Sequence, residues 1–126
     1  MPATKYDLKD TRRIEQGASY WWDLLWKDDA EDEHGKDLAA WSARMQIREK
    51  KDSPTALLSL TSEVDGAITL GDGQGDANIS IYLTPELTDQ LTVMSAVYDL
   101  ELVDTNDDVF RLLEGSIAIS LNVTRE

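Results

Sequence analysis

The 126-residue chain contains no cysteine, one histidine, one phenylalanine and three prolines. Without cysteine it has no disulfide framework, no cysteine-ligated zinc, no iron–sulfur cluster and no thiol nucleophile. No apolar run approaches the roughly 18–20 residues of a membrane span, and residues 1–10 lack the apolar core of a signal peptide. The sequence therefore predicts a protein that is made in the cytoplasm and has no membrane partner.

Basic residues are also scarce, since 12 Lys and Arg stand against 25 Asp and Glu, which gives a net charge of -13 at pH 7. This balance repels phosphate backbones and anionic lipids, so no nucleic-acid partner is expected. Mimicry of a nucleic acid would need acids at phosphate-like spacing along one face. An acidic surface does complement a basic protein partner. Hydrophobic residues make up 41% of the chain, enough for the core of one domain.

Alternation of apolar and polar residues with a period of two dominates the chain, and this pattern is typical of half-buried strands. Residues 20–27 carry aromatics on both faces, which favours a central strand. Turn residues separate the runs, notably Asp65-Gly66, the glycine-rich stretch 71–76 and the polar stretch 105–108. The predicted strands cover 20–27, 41–48, 56–61, 67–70, 77–83, 98–102, 109–113 and 116–121.

Residues 84–91 break this period. Thr84 fits a helix N-cap, Pro85 fits the first helical position, and Leu87 and Leu91 fall on one side of a turn. We expect a short helix that crosses from one sheet to the other, whereas residues 28–38 are expected to form a loop. The predicted fold is an all-β sandwich with one short crossover helix.

The predicted domain covers residues 18–126. Residues 1–17 are expected to form an N-terminal arm that is partly flexible or docked on a partner. Under this hypothesis, deletion of the arm leaves the fold intact and abolishes incorporation into an assembly.

No pattern of reactive side chains stands out. The acidic stretch 28–33 lacks the ligand register of a calcium loop, and the stretch 104–108 has Val109 where such a loop needs glycine. A strand rather than a helix follows the glycines of 71–76, so that stretch is not a phosphate cradle. The only histidine, His34, has no nucleophile motif beside it. The sequence predicts no metal site, no cofactor, no catalytic residue and no enzymatic activity.

Four tryptophans are the most unusual feature. Trp22 and Trp26 share a face with Tyr20, while Trp21 points the other way. Core packing is favoured for Trp22, Trp26 and Trp41, whereas Trp21 is left open between the core and an interface. Such a set also occurs as a carbohydrate platform, which would require Trp22 and Trp26 to be exposed on one concave face.

An interface is predicted where the arm joins the first aromatic strand. Arg12 and Arg13 lie at the root of the arm, and Tyr20 and Trp21 begin the strand. Tyrosine, tryptophan and arginine are the residue types that most often anchor protein interfaces. These four residues are therefore the candidate interface set.

Three stretches resemble a known family. The first is Asp37-Leu38 followed by residues 41–48, the second is residues 98–102 (Tyr-Asp-Leu-Glu-Leu), and the third is residues 111–120 with 123–125. Together they resemble small proteins encoded by tailed bacteriophages and prophages among the structural genes of the tail or its fibres. A related β-sandwich module resembles the attachment domain of upper-baseplate and tail-fibre proteins. The resemblance covers roughly residues 10–125.

The resemblance implies an Ig-like antiparallel β-sandwich that serves as a structural component of a virion. Its implied partners are other virion proteins of the tail, portal or neck, or fibre, and its implied assembly is a homo-oligomeric ring or array. The tryptophan-rich strand and the acidic stretch 28–34 are heavier than this family leads us to expect. Because no fibre stalk or receptor-binding tip follows residue 126, an adaptor, collar or baseplate role is expected. The alternative is a carbohydrate-binding sandwich that attaches to a host surface.

Overall fold

The computed structural model describes residues 3–29, 31–63 and 66–123. As the alternation predicts, the chain forms an all-β sandwich with one short α-helix. The strands are β1 (Thr4–Lys5), β2 (Ile14–Glu15), β3 (Tyr20–Leu24), β4 (Ser42–Arg48), β5 (Leu58–Thr61), β6 (Ile68–Leu70), β7 (Ile79–Leu83), β8 (Ser95–Val103) and β9 (Val109–Ser120). The helix α1 covers Pro85–Asp89, and a 3-10 turn covers Asp10–Arg12.

The strands form two sheets. The larger has the order β1-β9-β8-β4-β5, with β2 also paired to β9, and the smaller has the order β3-β7-β6. All pairings are antiparallel except those of β1 and β2, which run parallel to β9. The prediction of an antiparallel sandwich therefore holds for the long strands and is corrected at the N-terminal edge.

Two strand predictions are also corrected. Residues 109–113 and 116–120 belong to one continuous strand, β9, whose register shifts opposite Leu100 and Glu101 of β8, and Leu121 lies beyond its end. Strand β3 lies at an edge of the smaller sheet and not at its centre. The predicted turn at Asp65-Gly66 begins outside the described residues, since Val64 and Asp65 are not among them.

The predicted helix is confirmed. The Thr84 hydroxyl accepts a hydrogen bond from the Leu87 backbone N–H at 3.2 Å, with Pro85 in the first helical turn. The helix carries the chain from β7 in the smaller sheet to β8 in the larger sheet. Its Thr88 hydroxyl is buried and donates to the Ala18 carbonyl at 2.9 Å. This bond fixes the start of β3 against the helix.

The core lies between the two sheets, where their inward rows meet. Trp22 of β3 is 3% exposed, and its ring packs edge-on against Tyr98 of β8 with centroids 5.8 Å apart. The inward residues of β4 and β8, among them Ile47 and Leu100, are fully buried. Burial of such aliphatic side chains contributes about 1.5–3 kcal/mol each.

The N-terminal segment is part of this sandwich. Leu8 and Ile14 are 0% exposed, because the segment runs along the edge of β9 and closes that side of the core. The Tyr6 ring stacks on Trp22 with centroids 5.7 Å apart. The structure therefore corrects the domain boundary predicted at residue 17, and residues 3–17 belong to the same domain as the rest.

Two side-chain bonds fasten the segment. The Tyr98 hydroxyl donates to the Tyr6 carbonyl at 2.5 Å, and the Asp7 carboxylate accepts from the Ser116 N–H at 2.9 Å. That bond from Ser116 lowers the pKa of Asp7, and burial raises the pKa of Tyr98. At neutral pH Asp7 is therefore the charged acceptor and Tyr98 the neutral donor that these bonds require.

Candidate interaction surface

The four predicted interface residues lie together. Arg12, Arg13, Tyr20 and Trp21 line an open groove of about 500 Å³ between the 3-10 turn and the start of β3. Its remaining lining residues are Asp10, Thr11, Glu15 and Ser19. The groove is the feature that the N-terminal segment creates by folding back on its own domain.

Tyr20 fixes the floor of the groove. Its hydroxyl donates to the Arg12 carbonyl at 2.7 Å, which ties β3 to the end of the 3-10 turn. Burial raises the pKa of Tyr20, while the nearby Arg12 cation acts in the opposite direction. Tyr20 is therefore a neutral donor at neutral pH, as its bond to the Arg12 carbonyl requires.

The two arginines are held differently. Arg13 donates to the Asp10 carbonyl at 3.1 Å and pairs with the Glu15 carboxylate at 3.2 Å, so its charge is compensated within the chain. The Arg12 guanidinium carbon lies 5.7 Å from the centroid of the Tyr20 ring, a cation–π contact. The rim of the groove thus carries one compensated and one uncompensated arginine.

Trp21 forms an exposed aromatic pair with Tyr82. The two residues are direct cross-strand partners in β3 and β7, and their rings stack with centroids 5.2 Å apart. Trp21 is 64% exposed and Tyr82 is 39% exposed. Sequence reasoning did not select Tyr82 as an interface residue, although its place in the outward row of residues 77–83 was the signal for it.

The other tryptophans lie where the core prediction placed them. Trp22 is buried, and Trp26 and Trp41 are partly buried against the core. Trp26 meets Trp41 edge-on at 5.9 Å, and Trp41 stacks on Phe110 at 5.9 Å. A carbohydrate platform built on Trp22 and Trp26 would require both rings to be exposed on one concave face, and the structure does not place them so.

Asn78 organises the long loop that follows β3. Its amide oxygen accepts from the Trp26 N–H at 2.8 Å, and its amide nitrogen donates to the carbonyls of Trp26 and Lys36, each at 2.8 Å. The alternation placed Asn78 in the outward row of its strand, but it is 1% exposed because this loop folds over it. The structure corrects that expectation.

A glycine contact closes the same loop. Gly73 has a φ of 83°, and a Cβ there would lie 2.3 Å from the Gly35 carbonyl oxygen. The Gly35 N–H also donates to the Gly73 carbonyl at 2.9 Å. The glycine-rich stretch 71–76, which the sequence predicted only as a turn, is thus a clasp that holds the loop after β3 at Gly35.

The acidic stretch 28–33 forms exposed turns in its described residues. Asp28 pairs with Lys36 at 3.1 Å, and His34 is exposed. Within residues 3–29, 31–63 and 66–123, no group of three or more His, Asp or Glu side chains is placed to hold a metal ion. Over the same residues no helix is long and apolar enough to cross a membrane.

A network of ion pairs covers the outer face of the larger sheet. Arg44 pairs with Glu101 at 2.7 Å, and Arg111 lies 3.7–3.8 Å from Asp99, Glu101 and Glu114. Burial and then the neighbouring Glu101 raise the pKa of Asp99, against the opposing effect of Arg111. These charged groups already have partners within the chain, so the groove at the start of β3 is the stronger candidate for binding a partner.

Compared with protein-family models and with the sequences of curated proteins, the chain matches none. The candidate surface is therefore assessed on its own chemistry. Exposed tryptophan and tyrosine supply apolar area at a small cost in side-chain entropy, and arginine supplies directed charge. The groove and the Trp21–Tyr82 pair together have the composition of a protein-binding surface.

Proposed function

We propose that the protein is a structural component of a phage virion, in the tail, baseplate or collar or as a fibre-attachment adaptor. It assembles there through protein–protein contacts of the groove and the Trp21–Tyr82 pair. The observation that carries the proposal is the exposure of Trp21, at 64%, beside two arginines on a rigid two-sheet scaffold. The resemblance of three strand regions to small tail proteins of phages supports the place of assembly.

Rigidity matters to this role. The Tyr20 hydroxyl ties β3 to the 3-10 turn, and the Thr88 hydroxyl ties α1 to Ala18 just before β3, so little conformational entropy is lost when a neighbour docks in the groove. Among the described residues no buried side-chain nitrogen or oxygen lacks a hydrogen-bond partner.

The test is made on particles from cells that carry the gene together with its neighbouring genes. Mass spectrometry of purified particles is expected to find the chain at a fixed copy number. A Trp21→Ala chain is expected to fold normally and be lost from the particles, because the exposed anchor is removed. The matched control is Val109→Ala, which removes a 49% exposed apolar side chain at the first residue of β9. The groove lies near the other end of β9, where Ile119 and Ser120 pair with β2. Absence of the unmodified chain from particles contradicts the proposal.

A carbohydrate-binding sandwich that attaches to a host surface is the second candidate. It is favoured by the Trp21–Tyr82 pair alone, since two exposed stacked rings on a sheet face offer an apolar surface to a sugar ring. The test is a glycan array followed by titration of tryptophan fluorescence. Saturable binding that Trp21→Ala abolishes would favour this function over the first.

A further inference from the structure

Arg12 is distinguished from the other arginines by what it lacks. Of the five arginines among residues 3–29, 31–63 and 66–123, it is the one whose guanidinium makes neither a hydrogen bond nor an ion pair with a described residue. It is also only partly exposed, at the rim of the groove. Arg12 is therefore a partly buried cation without an acidic partner among the described residues, in a chain that contains 25 acids.

The charge around this cation differs from that of the whole chain. Residues 5–13 contain four of the 12 Lys and Arg residues and only two acids. The chain as a whole carries -13. The groove lining itself is neutral, since Asp10 and Glu15 stand against Arg12 and Arg13, and Glu15 is paired with Arg13. At about 0.15 M salt the Debye length is about 8 Å, so a docking partner senses this neutral groove and its unpaired arginine more than the distant negative charges.

The matching acids lie at the other end of the same strand. Strand β3 leads from the groove at Tyr20 to Leu24, about 13 Å away at roughly 3.3 Å per residue. The acidic loop follows, and we define it as Glu31, Asp32 and Glu33. All three are exposed, and none forms an ion pair with a described residue.

We propose that the groove receives the acidic loop of a second copy of this chain, with the partner carboxylates on Arg12 and the loop packed beside Trp21. This inference rests on the proposed structural function and names its partner. Because the groove and the acidic loop are different surfaces, the contact is head to tail, and repetition gives a ring or a filament. Complementary charge favours this orientation, since most of the surface of such an acidic chain would oppose like charges in a second copy.

The test is sedimentation velocity of the purified chain at about 0.15 M salt and up to about 1 mM protein, the range in which weak contacts are populated. The unmodified chain is expected to form concentration-dependent oligomers. A groove variant, Arg12→Glu, and a loop variant with Glu31→Gln, Asp32→Asn and Glu33→Gln are each expected to weaken association at least tenfold. Lys50→Glu is the charge-matched control, because Lys50 is exposed and lies in neither surface.

Mixing the two variants identifies the geometry. The groove variant keeps an intact loop and the loop variant keeps an intact groove, so the mixture is expected to give a 1:1 dimer that grows no further. A single chain that combines Arg12→Glu with Glu31→Lys, Asp32→Lys and Glu33→Lys is expected to restore the growth of oligomers, because the two charges of the contact are exchanged. Urea denaturation of each variant shows that it is folded.

An unmodified chain that stays monomeric at every concentration overturns this inference. So does a mixture that gives no dimer, or a pair of variants that still self-associate, since that pattern means a symmetric contact or another surface. Detection of the chain in particles despite such a result leaves the proposed function standing and rejects only the identity of the neighbour.

Discussion

Truncation of Leu8 tests directly whether the N-terminal segment belongs to the core. The Leu8 side chain is 0% exposed. Its backbone makes two hydrogen bonds to β9: the Leu8 N–H donates to the Ser116 carbonyl, and the Leu8 carbonyl accepts from the Ala118 N–H, each at 2.8 Å. Leu→Ala substitutions in cores cost about 2–5 kcal/mol, with the larger values at sites that do not collapse. Because both bonds hold the backbone in place, we expect Leu8→Ala to lower the free energy of unfolding by about 3–5 kcal/mol.

Urea denaturation followed by tryptophan fluorescence measures this loss at equilibrium, and thermal unfolding gives an independent value. For a chain of this size each kcal/mol corresponds to roughly 3–5 °C, so we expect the Tm to fall by roughly 10–20 °C. The control is Met94→Ala, whose side chain is 70% exposed and whose loss changes stability by about 0.5 kcal/mol or less. If Leu8→Ala unfolds like the unmodified chain, the segment is not docked on its own domain and its place along β9 is refuted.

Three further predictions concern the loops and the charged face. Asn78→Ala removes three hydrogen bonds of 2.8 Å and is expected to lower the free energy of unfolding, measured by urea denaturation, by about 3 kcal/mol. The control Asn106→Ala, at an exposed position, is expected to change it little, and equal stabilities of the two variants contradict the prediction. Gly73→Ala is expected to lower the Tm because its Cβ meets a carbonyl at 2.3 Å, whereas Gly75→Ala, with nothing within 4 Å, is neutral or slightly stabilising; the reverse order refutes the clasp. Asp99 has a raised pKa in the folded state, so its contribution to stability is full below its ordinary pKa of 3.8 and is lost as pH rises through the folded value. Asp99→Asn is therefore expected to be at least as stable as the unmodified chain at pH 7 in urea denaturation. A clearly lower free energy of unfolding of the variant contradicts this and means that the ion pair with Arg111 outweighs the cost of burying the Asp99 charge.

The strands and the helix were predictable because their signals are local. Four apolar residues alternate in both the β4 and β7 regions, and Thr84-Pro85 carries the chemistry of a helix start. The N-terminal strands were not predictable, because β1 and β2 are two residues long and no period exists over two residues. Their parallel pairing with β9 depends on tertiary contacts.

Four residues of the candidate surface were selected from the sequence, but Tyr82 and the form of the surface were not. Arg12, Arg13, Tyr20 and Trp21 were selected as residue types that anchor interfaces, and the structure places them around one groove. The sequence does not contain the register that puts Tyr82 opposite Trp21, because that pairing joins residues 61 positions apart. It also gives no sign that a loop covers Asn78, since a period of two describes a strand and not what packs on it.

The bond between Asp7 and Ser116 joins residues 109 positions apart in the chain. During translation, at about 5–20 residues per second, Asp7 is synthesised some 5–20 s before the Ser116 N–H that donates to its carboxylate. The N-terminal segment of this domain is therefore among the last parts to pack, and Leu8 and Ile14, which are buried in the fold, lack their partners in β9 during that interval. Contacts of such long range also favour slow folding of the released chain, on the millisecond-to-second scale of all-β domains.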